Sequence, residues 1–126
     1  MTVAVLLITH ERIGEALLDT ASTVFQGAPM PCSAFSVPRD ADVERCYEQV
    51  LSLVSELDAG DGVLLLSDLY GSTPGNVALR VSQATGGRVV AGANLPMLLR
   101  IFNYSRLPLG ELTEKAVDGG RAGVVT

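Results

Sequence analysis

Tryptophan is absent from this chain, lysine occurs once, at Lys115, and histidine once, at His10. Each shortage excludes something. The nine basic residues are that lysine and scattered arginines, set against 14 acidic residues for a formal net charge of -5. An acidic chain without a basic cluster lacks the electrostatic footprint of a nucleic-acid binder. The GxxxxGK[ST] loop of nucleotide-binding proteins does not occur, and the lysine it needs is missing from every glycine-rich turn. Cysteine is limited to Cys32 and Cys46, with no CxxC and no His/Cys cluster at zinc-ligand spacing. Two reduced, mostly buried thiols and a cytoplasmic location are the expectation. No apolar run approaches the ~20 residues of a membrane span, and the N-terminus lacks the basic region of a secretory signal.

What the chain does have is apolar residues, 48% of 126, enough for the compact core of a single domain spanning residues 1–126. The run Val3-Ala4-Val5-Leu6-Leu7-Ile8 is unbroken and mostly branched, which marks a strand buried on both faces, here Val3–Thr9. A helical stretch follows from about Ile13 to Phe25, ended by Gly27-Ala28-Pro29. A weaker strand covers Pro31–Val37. Asp40 or Asp42 can cap the next helix, about Val43 to Leu57. After the turn Gly60-Asp61-Gly62 comes a third buried strand, Val63 to Ser67. Thr73 is expected as the N-cap of a helix with Pro74 as its first residue, running to about Thr85. A strand over Val89–Gly92, helices at about Met97–Tyr104 and Glu111–Gly119, and a short terminal strand, Gly123–Val125, complete the pattern. Strands alternating with helices imply a three-layer α/β/α domain with a mostly parallel, doubly wound sheet, for which we take an order of about 2-1-3-4.

In that order the first and third strands are neighbours at the switch point, where such sheets place their ligand crevice. His10 follows the first strand and Asp68 the third. Facing each other, the carboxylate can hold one imidazole nitrogen and leave the other bare as a nucleophile. Gly71, Ser72 and Thr73 lie beside them at a helix start, where backbone N–H groups can cradle a phosphoryl group. Singly, each feature is as well explained by a satisfied polar residue or an ordinary helix cap. Together at one sheet edge they point to a group carried on histidine.

Three segments resemble the enzyme IIA domains of the mannose family of the bacterial phosphoenolpyruvate-dependent sugar phosphotransferase system. They are Ile8-Thr9-His10, Asp68-Leu69-Tyr70-Gly71-Ser72-Thr73-Pro74-Gly75-Asn76 and Gly92-Ala93-Asn94-Leu95-Pro96-Met97. The resemblance covers essentially the whole chain. It implies that His10 accepts a phosphoryl group through Nε2 from the phosphocarrier HPr and passes it to an enzyme IIB, with Asp68 holding Nδ1–H. It places Thr73 near the phosphoryl oxygens and requires no cofactor or metal. It also implies a homodimer with Gly123–Val125 as the interface strand.

Two departures stand out. Glu11 occupies a position where many relatives carry a small residue such as glycine, and its carboxylate would repel a phosphohistidine unless Arg12 offsets it. The sequence also stops where a IIA domain stops, so sugar transport is not assured. The same chemistry fits a dihydroxyacetone kinase phosphocarrier subunit, or a regulatory switch that signals a target by its phosphorylation state. A response-regulator receiver domain would need an acidic pair after the first strand, where Thr9-His10 stand.

Overall fold

The computed structural model describes residues 2–126. Its elements are β1 (Ala4–His10), α1 (Ile13–Val24), β2 (Cys32–Val37), α2 (Val43–Leu57), β3 (Val63–Ser67), α3 (Thr73–Thr85), β4 (Arg88–Ala91), α4 (Leu95–Asn103) and α5 (Leu109–Ala122). The strands form one parallel sheet, as the alternation of elements implies, in the order β2-β1-β3-β4 that we take for it.

Strand side chains alternate between two apolar layers. Val5 and Leu7 of β1 with Leu64 and Leu66 of β3 face a layer closed by Ala21, Leu98, Ile101, Leu112 and Ala116 of α1, α4 and α5. Ala4, Leu6, Ile8 and Leu65 face Cys46, Val50 and Val54 of α2 and Val77 and Val81 of α3. Burial on both faces is why β1 and β3 read as continuous apolar runs and not as alternating ones. No helix among the described residues is long and apolar enough to cross a membrane.

Several boundaries differ from expectation for identifiable reasons. His10 is the last residue of β1 and not the residue after it, because β2 extends far enough for Val37 to pair with it. Ser72, not Thr73, is the N-cap of α3; its Oγ accepts from the Gly75 N–H at 3.2 Å, which puts Thr73 in the first turn and Pro74 second. Asn94 caps α4 through a bond from the Met97 N–H, so that helix starts at Leu95 and takes Pro96 into its first turn.

The terminal strand expected at Gly123–Val125 does not form. Helix α5 winds on to Ala122, and the Gly123 N–H donates to the Gly119 carbonyl at 3.1 Å. Val124 and Val125 are 77% and 85% exposed and pair with no strand among the described residues. Gly119 and Gly120, which read as a helix end, are inside α5 because it presses against α4 there. A Cβ on Gly119 would run into Cβ of Arg100, and one on Gly120 would lie 2.7 Å from Cε of Met97.

Candidate functional site

The pairing of Ile8 with Ser67 brings the ends of β1 and β3 level, so the residues just beyond meet. His10 Nδ1 lies 2.9 Å from Asp68 Oδ2, and the His10 backbone N–H donates to the same oxygen at 3.2 Å. A carboxylate accepts, so it selects the tautomer with the proton on Nδ1. Nε2 has no hydrogen-bond partner among the described residues, and the imidazole is 43% exposed against 10% for the carboxylate. Asp68 Oδ1 and Ser67 Oγ are buried without a partner among the described residues.

The residues around the histidine hold it from behind. Thr9 is fully buried, and its Oγ1 accepts from the Gly14 N–H at 2.8 Å. This supplies the acceptor that α1 lacks, since Arg12 at its N-cap makes no side-chain bond. Gly14 suits the contact: a Cβ there would stand 3.0 Å from Thr9 Oγ1 and 3.1 Å from Leu7 Cβ. Glu11 then turns the chain with φ 45°, in the left-handed region, while its N–H donates to the Val37 carbonyl at 3.1 Å. That backbone requirement explains in physical terms why a glycine is at home in this position. The offset by Arg12 is not seen: its Nε is 3.5 Å from Glu15 Oε2, one turn into α1.

His10 opens into a cleft of about 290 Å³ that it shares with Glu11, Pro38, Arg39, Thr73 and Pro74. Thr73, exposed in the first turn of α3, is thus brought to the histidine, whereas Gly71 and Ser72 do not line this cleft. The Ser72 hydroxyl is engaged twice, accepting from Gly75 and donating to the Leu69 carbonyl at 2.6 Å. Gly71 has φ 77° and provides the turn out of the loop. Gly75 lets the loop close, since a Cβ would lie 2.8 Å from the Leu69 oxygen.

Three residues have roles that the motifs alone do not assign. Thr9 looks like the tail of an apolar strand, and only the glycine five residues on hints at its bond. Asn94, whose Nδ2 also donates to the Gly120 carbonyl at 3.1 Å, fixes α5 to α4. Arg39 reaches the site only because β2 lies beside β1, a fact of topology and not of spacing. Among the described residues no three His, Cys, Asp or Glu side chains gather as a metal-binding group.

Comparison with known proteins agrees with this architecture. A family model described as "PTS system fructose IIA component" (EIIA-man) matches residues 4–117. The mannose-specific EIIAB component of Escherichia coli (strain K12) is 33% identical over 127 residues, taking in 98% of this chain and 39% of its own length. The mannose-specific EIIAB component of Shigella flexneri matches to the same extent. This chain therefore spans about two-fifths of the length of those curated relatives. The mannose/sorbose-specific IIA subunit from Enterococcus faecalis superposes with a TM-score of 0.88 at 26% identity, covering 100% of this chain and 95% of that one. The EIIA component from Streptococcus agalactiae, at 19% identity and a TM-score of 0.82 over 100% and 97% of the two chains, shares the fold. The chain belongs to the mannose family of phosphotransferase-system enzyme IIA components.

Proposed function

We propose that this chain is a phosphohistidine carrier, accepting a phosphoryl group from HPr on His10 Nε2 and passing it to an enzyme IIB in sugar uptake. The observation that carries this reading is the 2.9 Å contact between His10 Nδ1 and Asp68, which leaves Nε2 as the open nucleophile of a half-exposed imidazole. In the transfer, the Nε2 lone pair forms a bond to phosphorus as the donor's N–P bond breaks, and the electron pair of that bond leaves with the donor imidazole. Asp68 stabilises the positive charge that develops on the ring. The Thr73 hydroxyl is free to donate to a phosphoryl oxygen from the first turn of α3. Ser72 and Gly71 serve through backbone N–H groups and loop shape, the Ser72 hydroxyl being occupied. A cytoplasmic location follows from the chemistry of the donor. The whole span 1–126 acts as one domain in this reading.

The same reading includes a homodimer. β4 is an edge strand, bordered by a groove of about 460 Å³ to which Val89, Ala91, Val117 and Val124 contribute. An exposed edge beside exposed Val124 and Val125 is an opening for strand addition from a second copy. A regulatory role without transport shares every step up to phosphorylated His10 and differs only in the acceptor.

Incubation with phosphoenolpyruvate, enzyme I and HPr is expected to give an acid-labile, base-stable phosphoprotein modified at His10, which added enzyme IIB discharges. Label retained by a His10→Ala variant would overturn the assignment.

A further inference from the structure

We propose that Arg39 is the charge partner of the phosphoryl group on His10 and counters the carboxylate of Glu11 in the same cleft. This rests on the reading of His10 as the phosphoryl acceptor and adds a residue to it.

A phosphoryl group brings about -1.5 to -2 charge at neutral pH. Its surroundings here are unfavourable. Asp68 stands directly behind the ring, Glu11 lines the cleft, and the chain as a whole carries a net charge of -5. Of the residues that line the cleft, Arg39 alone is a cation. The other nearby arginine, Arg12, is engaged with Glu15 and is not part of this lining. Arg39 has no carboxylate within ion-pair distance among the described residues, so its guanidinium is uncommitted.

The backbone places it there. His10 pairs with Val37, so Pro38-Arg39 leaves β2 immediately beside the histidine, on the side away from Asp68 and β3. The Glu11 N–H bond to the Val37 carbonyl ties the two departing chains together. Arg39 is two residues past the ladder, about 7 Å along an extended chain, a distance an arginine side chain spans back. A guanidinium presents a planar fork of donors that matches phosphoryl oxygens two at a time, which an ammonium does not. The imidazole is thus bracketed by an orienting carboxylate from β3 and a free guanidinium from β2. Glu11 and Arg39 oppose each other in sign at its rim.

Phosphoramidate separates action on the phosphoryl group from docking of a protein donor. The Nε2 lone pair attacks phosphorus, the P–N bond of phosphoramidate breaks, and ammonia leaves after taking up a proton. With this donor Arg39→Ala is expected to slow His10 phosphorylation by about fivefold, a range set by a partly solvated charge-assisted contact. Arg39→Lys is expected to recover part of the rate. Glu11→Gly is expected to accelerate the reaction and, combined with Arg39→Ala, to restore much of the loss. In a ³¹P NMR titration, Arg39→Ala is expected to move the phosphohistidine's second ionisation to higher pH, a shift that mere loosening of the loop would not cause. Equal rates for Arg39→Ala and the parent chain with phosphoramidate overturn the proposal. A defect confined to phospho-HPr overturns it too, because it makes Arg39 a docking residue. If His10 of the parent chain takes no phosphoryl group from either donor, both this proposal and the carrier reading fall. If His10 is labelled normally and Arg39→Ala is silent, only the present one does.

Discussion

At the carboxyl edge of β1 and β3, Glu11 holds a left-handed backbone, Asp68 Oδ1 and Ser67 Oγ are buried without partners, and His10 is half open to solvent. The seam between α4 and α5, further along the chain, is built for contact. Asn94 uses both ends of its amide, accepting from Met97 N–H and donating to the Gly120 carbonyl. Gly119, Gly120 and Gly123 let the helices touch with no room for a Cβ. The seam commits this amide and these three glycines to holding the helices together. The edge keeps an uncommitted nitrogen that is half open to solvent, with two unpaired polar atoms buried behind it. Unsatisfied buried groups are costly, and on the carrier reading their place at this edge is one where the chain favours chemistry over stability.

The contrast can be broken from either side. Asp68→Asn should leave the fold intact and slow phosphotransfer from HPr by about a hundredfold, because the amide no longer enforces the Nδ1–H tautomer or stabilises the charged ring; rapid-quench kinetics measure this, and a parent-like rate would make Asp68 structural only. At the seam, Gly119→Ala should cost about 2–3 kcal/mol in urea denaturation, since the new methyl meets Arg100 Cβ and the helices must part. Asn94→Ala loses a cap and a tether between helices and should cost about 1–2 kcal/mol in the same measurement. Gln26, at φ 57° just beyond α1, shares the left-handed backbone of Glu11 but lies outside the cleft. Replacing either by glycine should be neutral or stabilise by up to about 1 kcal/mol, while only Glu11→Gly alters phosphoryl acceptance.

The remaining prediction is a pH dependence, confined to alkaline solution. Burial pushes the Cys32 thiol up to about 12 from the 9.0 of a free thiol. The unfolded chain therefore releases this proton first as pH rises. Stability from Cys32 is fully present below pH 9 and is lost progressively from there toward 12. Denaturation midpoints across that range should fall less steeply in Cys32→Ala.

The parallel α/β alternation and the placing of His10 and Asp68 at two strand ends were legible because they depend on patterns the chain repeats locally: two apolar runs, each closed by a polar residue, in an alternating succession of elements. Their meeting follows only once the order 2-1-3-4 is taken, which the structure has. What was misread or not read has a different origin. Ser72 takes the cap from Thr73 because its hydroxyl also finds the Leu69 carbonyl, a loop contact that composition does not reveal. Gly119-Gly120 signals a helix end in isolation, yet α4 needs those positions bare. Glu11 turns left-handed because Val37, far along the chain, accepts its N–H. Arg39 joins the cleft only once β2 is laid against β1. Except for Ser72, whose partner is three residues away, the deciding partner is distant in sequence.

One oxygen, Asp68 Oδ2, holds both the backbone N–H and the ring nitrogen of His10. The ring cannot swivel away without surrendering its acceptor. On the carrier reading, Nε2 is then held in one place, and donor and acceptor visit it in turn, each blocking the other's seat. For the carrier reading this means alternating, ping-pong traffic: excess unphosphorylated acceptor should compete with the donor, and the molecule can be loaded or emptied but never bridge the two.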